Sequence, residues 1–342
     1  MQASPTSIPR YDPAGSTAKE CTVRYPALTA ALVFAGLAMT ANAAETEVHV
    51  DSPIGPLAGS LVQPAKGPAK AAVVILPGSG PTDRNGDNPM GVKGEPYRQL
   101  ANALAEQGIA SVRVDKRGMF GSRHEGFDPN HATIDAYADD THAWASFLAT
   151  ATKQRCVWLL GHSEGVLVAE VAAQKPQGIC GLILVSGAGR KAADILIEQL
   201  KANPANAPFL PQVLPVIEDL RQGKRVEASK IPAPFQPLFN QDVQPYIINW
   251  FQKDPVALLK AYKGPVLVVQ GDNDLQINMT DAHALAGARP GVELKVIPGM
   301  NHVLRHPAEG QAANIASYGD MSMPLAPGLV DGIAGFIASA KP

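Results

Sequence analysis

Short apolar runs recur along the chain, and stretches whose apolar residues return every three or four positions lie between them. Residues 71–76 read as a buried strand, and 109–114, 156–160, 182–185, 265–270 and 292–297 as further strands. Residues 97–107, 132–151, 164–174, 281–288 and 329–340 read as helices. In the helix over 132–151, Tyr137, Trp144, Phe147 and Leu148 mark the inner face. Ahead of these elements, 45–50 and 57–63 pair as a hairpin around Ser52-Pro53-Ile54-Gly55. Alternation of strand and helix predicts an α/β domain, a mostly parallel eight-stranded sheet covered on both faces, with the hairpin as its antiparallel edge.

One segment breaks this rhythm. Residues 190–260 hold helical stretches at 192–201, 214–222 and 246–251, separated by Pro-rich turns and without a clear strand. The segment is too long for a plain connection. Placed after the sixth strand, it is expected to form a helical lid over a pocket, the alternative being padding on the rim. The core is then 44–189 together with 261–342.

The N-terminus is distinct. Arg10, Lys19 and Arg24 precede an apolar stretch over 27–39, followed by Thr40-Ala41-Asn42-Ala43-Ala44. That order is a secretory signal, predicted to span 1–43 with cleavage after Ala43; an uncleaved anchor is the alternative. The apolar stretch is short for a membrane span, so no stable membrane insertion is expected after cleavage, and Cys21 would leave with the signal. Cys156 and Cys180 remain. Each begins an apolar strand, seven residues before Ser163 and Gly187 respectively, so neighbouring strands would set them side by side. An exported chain allows a disulfide there; two buried thiols are the other reading.

Composition removes several classes of function. The chain has 342 residues, 46% of them hydrophobic, enough for a substantial core. Its formal net charge of -2 offers no basic field for nucleic acid. It carries neither a zinc-type Cys/His cluster nor a phosphate-binding G-x-x-x-x-G-K-[ST] loop.

The chemistry centres on Gly161-His162-Ser163-Glu164-Gly165, set between the apolar runs 157–160 and 166–173. A strand turning sharply into a helix holds the central serine in a strained conformation above a helix N-terminus. Serine is a weak nucleophile and needs an imidazole base oriented by a carboxylate. In a sheet enzyme of this kind the acid and then the histidine follow the serine in chain order. Gly271-Asp272-Asn273-Asp274 follows the strand at 265–270, and Pro298-Gly299-Met300-Asn301-His302 follows the strand at 292–297.

With these segments the chain resembles the α/β-hydrolases, which carry G-x-x-D and G-x-x-H at these two places. The resemblance implies Asp274 as the acid and His302 as the base. Asp272 is the rival acid, its other reading being a turn or capping residue, and His283 and His306 read as surface or packing residues. It also implies an oxyanion site after the third strand, in Leu76-Pro77-Gly78-Ser79-Gly80-Pro81, where many relatives have His-Gly. The donors by resemblance are the backbone N–H groups of Ser79 and Glu164. Asp115-Lys116-Arg117-Gly118 with Gly121-Ser122 resembles the D-x-R-G-x-G-x-S segment, with one extra residue. Pro81-Thr82-Asp83-Arg84-Asn85-Gly86 and Gln244-Pro245-Tyr246 are similar to bacterial carboxylesterases of the EstD type and to serine-aminopeptidase-like hydrolases.

The resemblance implies a serine hydrolase cleaving small-molecule carboxylic esters without a cofactor or metal, and the N-terminal signal implies export, to the periplasm or the cell exterior. An aminopeptidase or thioesterase with the same triad is a second reading. An aminopeptidase would need acidic groups such as Glu198, Glu218, Asp219, Glu227 or Asp242 turned toward the substrate's ammonium. A non-catalytic hydrolase fold used for binding is a third.

Overall fold

The computed structural model describes residues 44–341; the expected signal segment, its cleavage point and Cys21 lie outside them. The strands are β1 (Ala44–Val50), β2 (Leu57–Gln63), β3 (Ala71–Leu76), β4 (Ile109–Val114), β5 (Val157–His162), β6 (Ile179–Val185), β7 (Val266–Gly271) and β8 (Val292–Ile297). They form one sheet in the order β1-β2-β4-β3-β5-β6-β7-β8. The β1–β2 hairpin pairs antiparallel with β4, and the other strands run parallel. The helices are α1 (Pro96–Glu106), α2 (Ile134–Thr152), α3 (Glu164–Ala172), α4 (Ala192–Ala202), α5 (Leu210–Arg221), α6 (Gln236–Phe239), α7 (Gln244–Phe251), α8 (Pro255–Ala261), α9 (Met279–Ala286), α10 (Gln311–Ala316) and α11 (Leu329–Ser339).

The apolar runs become strands, and β3 to β7 are buried on both sides, whereas β8 at the sheet edge exposes Glu293 and Lys295. Successive side chains of a strand point to opposite faces. In β5, Val157 and Leu159 enter the core made with α2, α3, α8 and α9, whereas Trp158 and Leu160 enter the core made with α1 and α11. In α2, Tyr137, Trp144 and Leu148 are buried and Phe147 is half-buried. This helix starts at Ile134, later than the periodicity suggests, because the Thr133 hydroxyl accepts from the Ala136 N–H at 3.0 Å and caps it.

The strand order reverses at β3. The chain leaves β3 through α1 to β4 on one side, then returns through α2 to β5 on the other. Such a switch point leaves a crevice beyond the carboxyl ends of the two central strands, where ligands bind in open α/β sheets. The loop holding Ser79 and the turn holding Ser163 both leave from these ends.

Residues 190–260 form a helical insertion between β6 and β7. It has its own small core, including Val213, Ile217, Leu220, Phe239, Ile247 and Phe251. It is fastened to the start of α2, where the Ile134 N–H donates to Asn249 Oδ1 at 3.0 Å and Lys253 pairs with Asp135 at 2.6 Å. Among the described residues, no helix is long and apolar enough to cross a membrane.

Cys156 and Cys180 are joined by a disulfide, with their Cα atoms 5.1 Å apart. The local register differs from the equal spacing read in the sequence. Val157 pairs with Ile179 but Trp158 with Gly181, so Cys180 is the extra residue of a bulge, and His162 lies opposite Val185. The bond closes a loop across β5, α3 and β6, the segment that carries the serine turn. Replacing both cysteines by alanine is expected to lower unfolding free energy by about 3 kcal/mol, the loop-closure estimate for a span of this length. Urea denaturation of the oxidised protein and the variant measures the difference; equal stability would remove this role.

Candidate active site

Ser163 sits between β5 and α3 with φ 55° and ψ -117°, a conformation that side chains avoid. Strain of this kind costs about 1–3 kcal/mol and persists only where surrounding packing enforces it. Here the enforcement is backbone against backbone. A Cβ on Gly161 would overlap the Gly165 carbonyl, and a Cβ on Gly165 would overlap the Leu76 carbonyl at the end of β3. The two glycines therefore let β5, α3 and β3 converge under the serine. The Ser163 N–H donates to the Val185 carbonyl at 3.0 Å, tying the turn to β6 as well.

The acid and base come from the two loops read in the sequence. His302 Nδ1 lies 2.9 Å from Asp274 Oδ2, and both side chains are buried. Asp274 Oδ1 accepts the N–H groups of Gln276 and Ile277 at 2.8 and 2.9 Å, and Gln270 Nε2 donates to Oδ2 at 3.2 Å. Burial works against the charged carboxylate, but His302 and these N–H donors hold its pKa below the ordinary aspartate range. Asp272 does something else: it accepts the Gly299 N–H at 2.6 Å and ties the acid loop to the base loop. His283 and His306 are exposed, and His306 packs on Gly299.

Gly78 lies against the serine; a Cβ on it would come within 3.4 Å of Ser163 Cβ. A chain of hydrogen bonds then crosses the site. The Gly78 N–H donates to Tyr97 Oη at 3.2 Å, and Tyr97 Oη is 2.7 Å from His162 Nδ1. His162 Nε2 lies 2.8 Å from the His302 carbonyl. A carbonyl only accepts, so His162 carries its proton on Nε2 and its Nδ1 accepts a hydrogen bond from the Tyr97 hydroxyl. The residue before the nucleophile thus links the loop after β3 to the loop bearing His302.

A second buried network lies on the other side of the same loop. Lys116 Nζ donates to the Gly78 carbonyl at 2.8 Å and pairs with Glu164 Oε1 at 3.5 Å. Glu164 Oε2 accepts a hydrogen bond from Tyr246 of α7. Arg84 pairs with Asp115 at 3.0 Å, and Asp83 accepts the N–H groups of Asn85 and Asp87. These two residues pin the loop after β3.

Ser163, His302, Gly78 and Ser79 line one cavity of about 230 Å³. Its remaining walls include Met90, Val92, Tyr97, Gln276, Val303 and Tyr318, and no Asp, Glu, Lys or Arg lines it. None of its lining residues comes from 190–260, so its walls are the loop after β3, the start of α1 and the segments around 276, 303 and 318. The insertion meets the site through Tyr246, which binds Glu164, and through Gln199, which donates to the carbonyl of the lining residue Gln276 at 3.1 Å. Among the described residues, no group of three His, Cys, Asp or Glu side chains is arranged to hold a metal.

Tyr97, His162, Lys116 and Tyr246 escaped the sequence reading as site residues. His162 lies inside the serine box, and Lys116 is the variable position of the D-x-R-G segment. Both were visible, but their partners are distant in the chain.

The sheet order, the strained serine turn and the loops after β7 and β8 together make the α/β-hydrolase fold. A family model described as serine aminopeptidase, S33, matches residues 89–235, a span that includes Ser163 and ends before Asp274 and His302. The chain is 24% identical over 261 residues, 74% of its length, to esterase EstD of Thermotoga maritima, and spans 59% of that relative's length. Among solved structures, the esterase Pf2001 of Pyrococcus furiosus aligns with a TM-score of 0.56 at 14% identity, covering 88% of this chain and 92% of that one. Est1E of Butyrivibrio proteoclasticus aligns with a TM-score of 0.52 at 16% identity, covering 86% and 99%.

Burial, reinforced by the neighbouring His302, pushes the His162 pKa down to about 3. An unfolded histidine titrates near 6.5, so between these values the unfolded chain binds the additional proton. His162 therefore contributes stability that is present above about pH 6.5 and declines as pH falls toward 3. Urea denaturation across pH 3–7 is expected to show a smaller loss of stability for His162→Asn than for the native chain. Parallel profiles would contradict the neutral, buried assignment.

Proposed function

We propose that the protein is an exported serine hydrolase that cleaves small carboxylic esters. The observation that carries this reading is a buried His302–Asp274 pair opening onto the same cavity as a serine held in a strained strand-to-helix turn. Ser163 Oγ attacks the ester carbonyl carbon while its proton passes to His302 Nε2. Asp274 holds the proton on Nδ1 and stabilises the imidazolium. The carbonyl oxygen, now negative, accepts the N–H groups of Ser79 and Glu164. Glu164 is the first residue of α3, where an N–H has no acceptor within its own helix. The tetrahedral intermediate collapses, the alkoxide leaves with the proton from His302, and an acyl group remains on Ser163. Water then attacks the acyl carbon and gives a proton to His302. Collapse releases the acid and returns that proton to Ser163.

The uncharged cavity favours an ester over a peptide N-terminus. An aminopeptidase must hold an ammonium, and no carboxylate lines the cavity. Glu198 is engaged with Arg190 and Asn278, and Glu218 with Arg221 and Gln222. A thioester would meet the same groups, and parallel rates on an ester and its thioester separate these two substrates. Export is supported by the signal-like order of 1–43 and by the Cys156–Cys180 disulfide, a bond that persists in oxidising compartments. The 190–260 insertion would then act as a support for the site.

Ser163→Ala is expected to lower kcat on p-nitrophenyl acetate by at least about 10⁴-fold, in line with loss of a serine nucleophile, with the melting temperature essentially unchanged. Full activity in that variant would refute the assignment.

A further inference from the structure

The oxyanion reading of Ser79 leaves one question, which is what turns its N–H toward the cavity. The N–H of Ser79 belongs to the same peptide unit as the carbonyl of Gly78. In a trans peptide the C=O and the following N–H point to opposite sides of the chain, and no cis bond occurs among the described residues. Whatever holds the Gly78 carbonyl therefore aims the Ser79 N–H the other way.

Lys116 Nζ is that group, donating to the Gly78 carbonyl at 2.8 Å. Lys116 lines a small void together with Leu76, Pro77 and Tyr137, whereas Ser79 and Ser163 line the site cavity, which shares no lining residue with that void. The carbonyl is thus drawn away from the reacting atoms, and the N–H opposite it faces them. The same ammonium pairs with the carboxylate of Glu164, whose backbone N–H is the second donor. It lies 5.6 Å from the centre of the Tyr137 ring, so an aromatic face replaces part of the water it has lost. Tyr246 completes the set from the insertion by binding the other oxygen of Glu164.

We propose that Lys116 is the positioning residue of the oxyanion site. It turns the Gly78–Ser79 peptide toward the cavity and joins it to Glu164, so that the two N–H donors are held at a set separation. The positive charge also polarises that peptide, which strengthens the Ser79 N–H as a donor. The inference rests on the hydrolase reading above and adds a residue that touches neither the substrate nor the triad.

Removing the ammonium alone would leave the Glu164 carboxylate buried and unpaired, which is strongly destabilising. The test therefore uses Lys116→Met in a Glu164→Gln background, with Glu164→Gln alone as the reference. On p-nitrophenyl acetate the double variant is expected to lose a further ~10–100-fold in kcat with KM within about two-fold, less than or equal to the loss of a direct donor. Binding of a trifluoromethyl ketone, which forms an oxyanion adduct with the serine, should weaken by the same factor. A role in packing alone would lower the melting temperature without separating ketone affinity from KM. Equal kcat and equal ketone affinity in the double variant and the reference would overturn the proposal. If the methionine variant does not fold, Lys116→Gln carries the test: its shorter, uncharged side chain should still cost kcat and ketone affinity together, and unchanged values would overturn the proposal. Activity surviving in Ser163→Ala would instead overturn the hydrolase reading itself.

Discussion

The structure depends on one backbone contact. The turn after β5 must pass so close to the end of β3 that residue 165 has no room for a side chain, and residue 161 meets the same limit against residue 165. Two glycines permit the approach, and the packed sheet enforces it. Ser163 is consequently held in a conformation it would otherwise leave, and the loop after β3 is brought against it. Without this convergence, the buried Asp274–His302 pair on the far loops would share no cavity with Ser163.

Around that contact the polar groups form two layers. On the cavity side, His162 joins Tyr97 to the His302 carbonyl, so the loop after β3 and the base loop are held through one neutral imidazole. Beneath the loop, Lys116, Glu164 and Tyr246 form a buried set reaching from β4 to the insertion. The first layer excludes charge and the second confines it. This arrangement leaves no Asp, Glu, Lys or Arg on the cavity lining, while the Lys116 amine lies one peptide away from the proposed oxyanion site.

The central strands were legible because parallel strands buried on both faces must be apolar throughout, and β3 matches the sequence reading residue for residue. Ser163, Asp274 and His302 were legible because each follows a strand end with its own glycine pattern. Helix starts were less so: α2 begins at its Thr133 cap rather than at the first apolar residue. The pairing of Cys156 with Cys180 was one of two open readings, and the bulge that accommodates it has no signature in the local pattern. The buried networks were not legible at all. Tyr97 meets His162 across 65 positions and Tyr246 meets Glu164 across 82, and nothing local marks such partners. The insertion could be read as helical, but its position relative to the cavity depends on packing between distant surfaces. Much of the cavity wall comes instead from the loop after β3, where Arg84 pairs with Asp115 and Asp83 accepts two N–H groups of its own loop.

The central claim is that Ser163 is an activated nucleophile. It is tested most directly by treating the folded protein with a fluorophosphonate and locating the adduct by peptide mass mapping. The account predicts a single stoichiometric adduct on Ser163. An adduct on another residue, or an unmodified Ser163 in protein that remains folded, would contradict it.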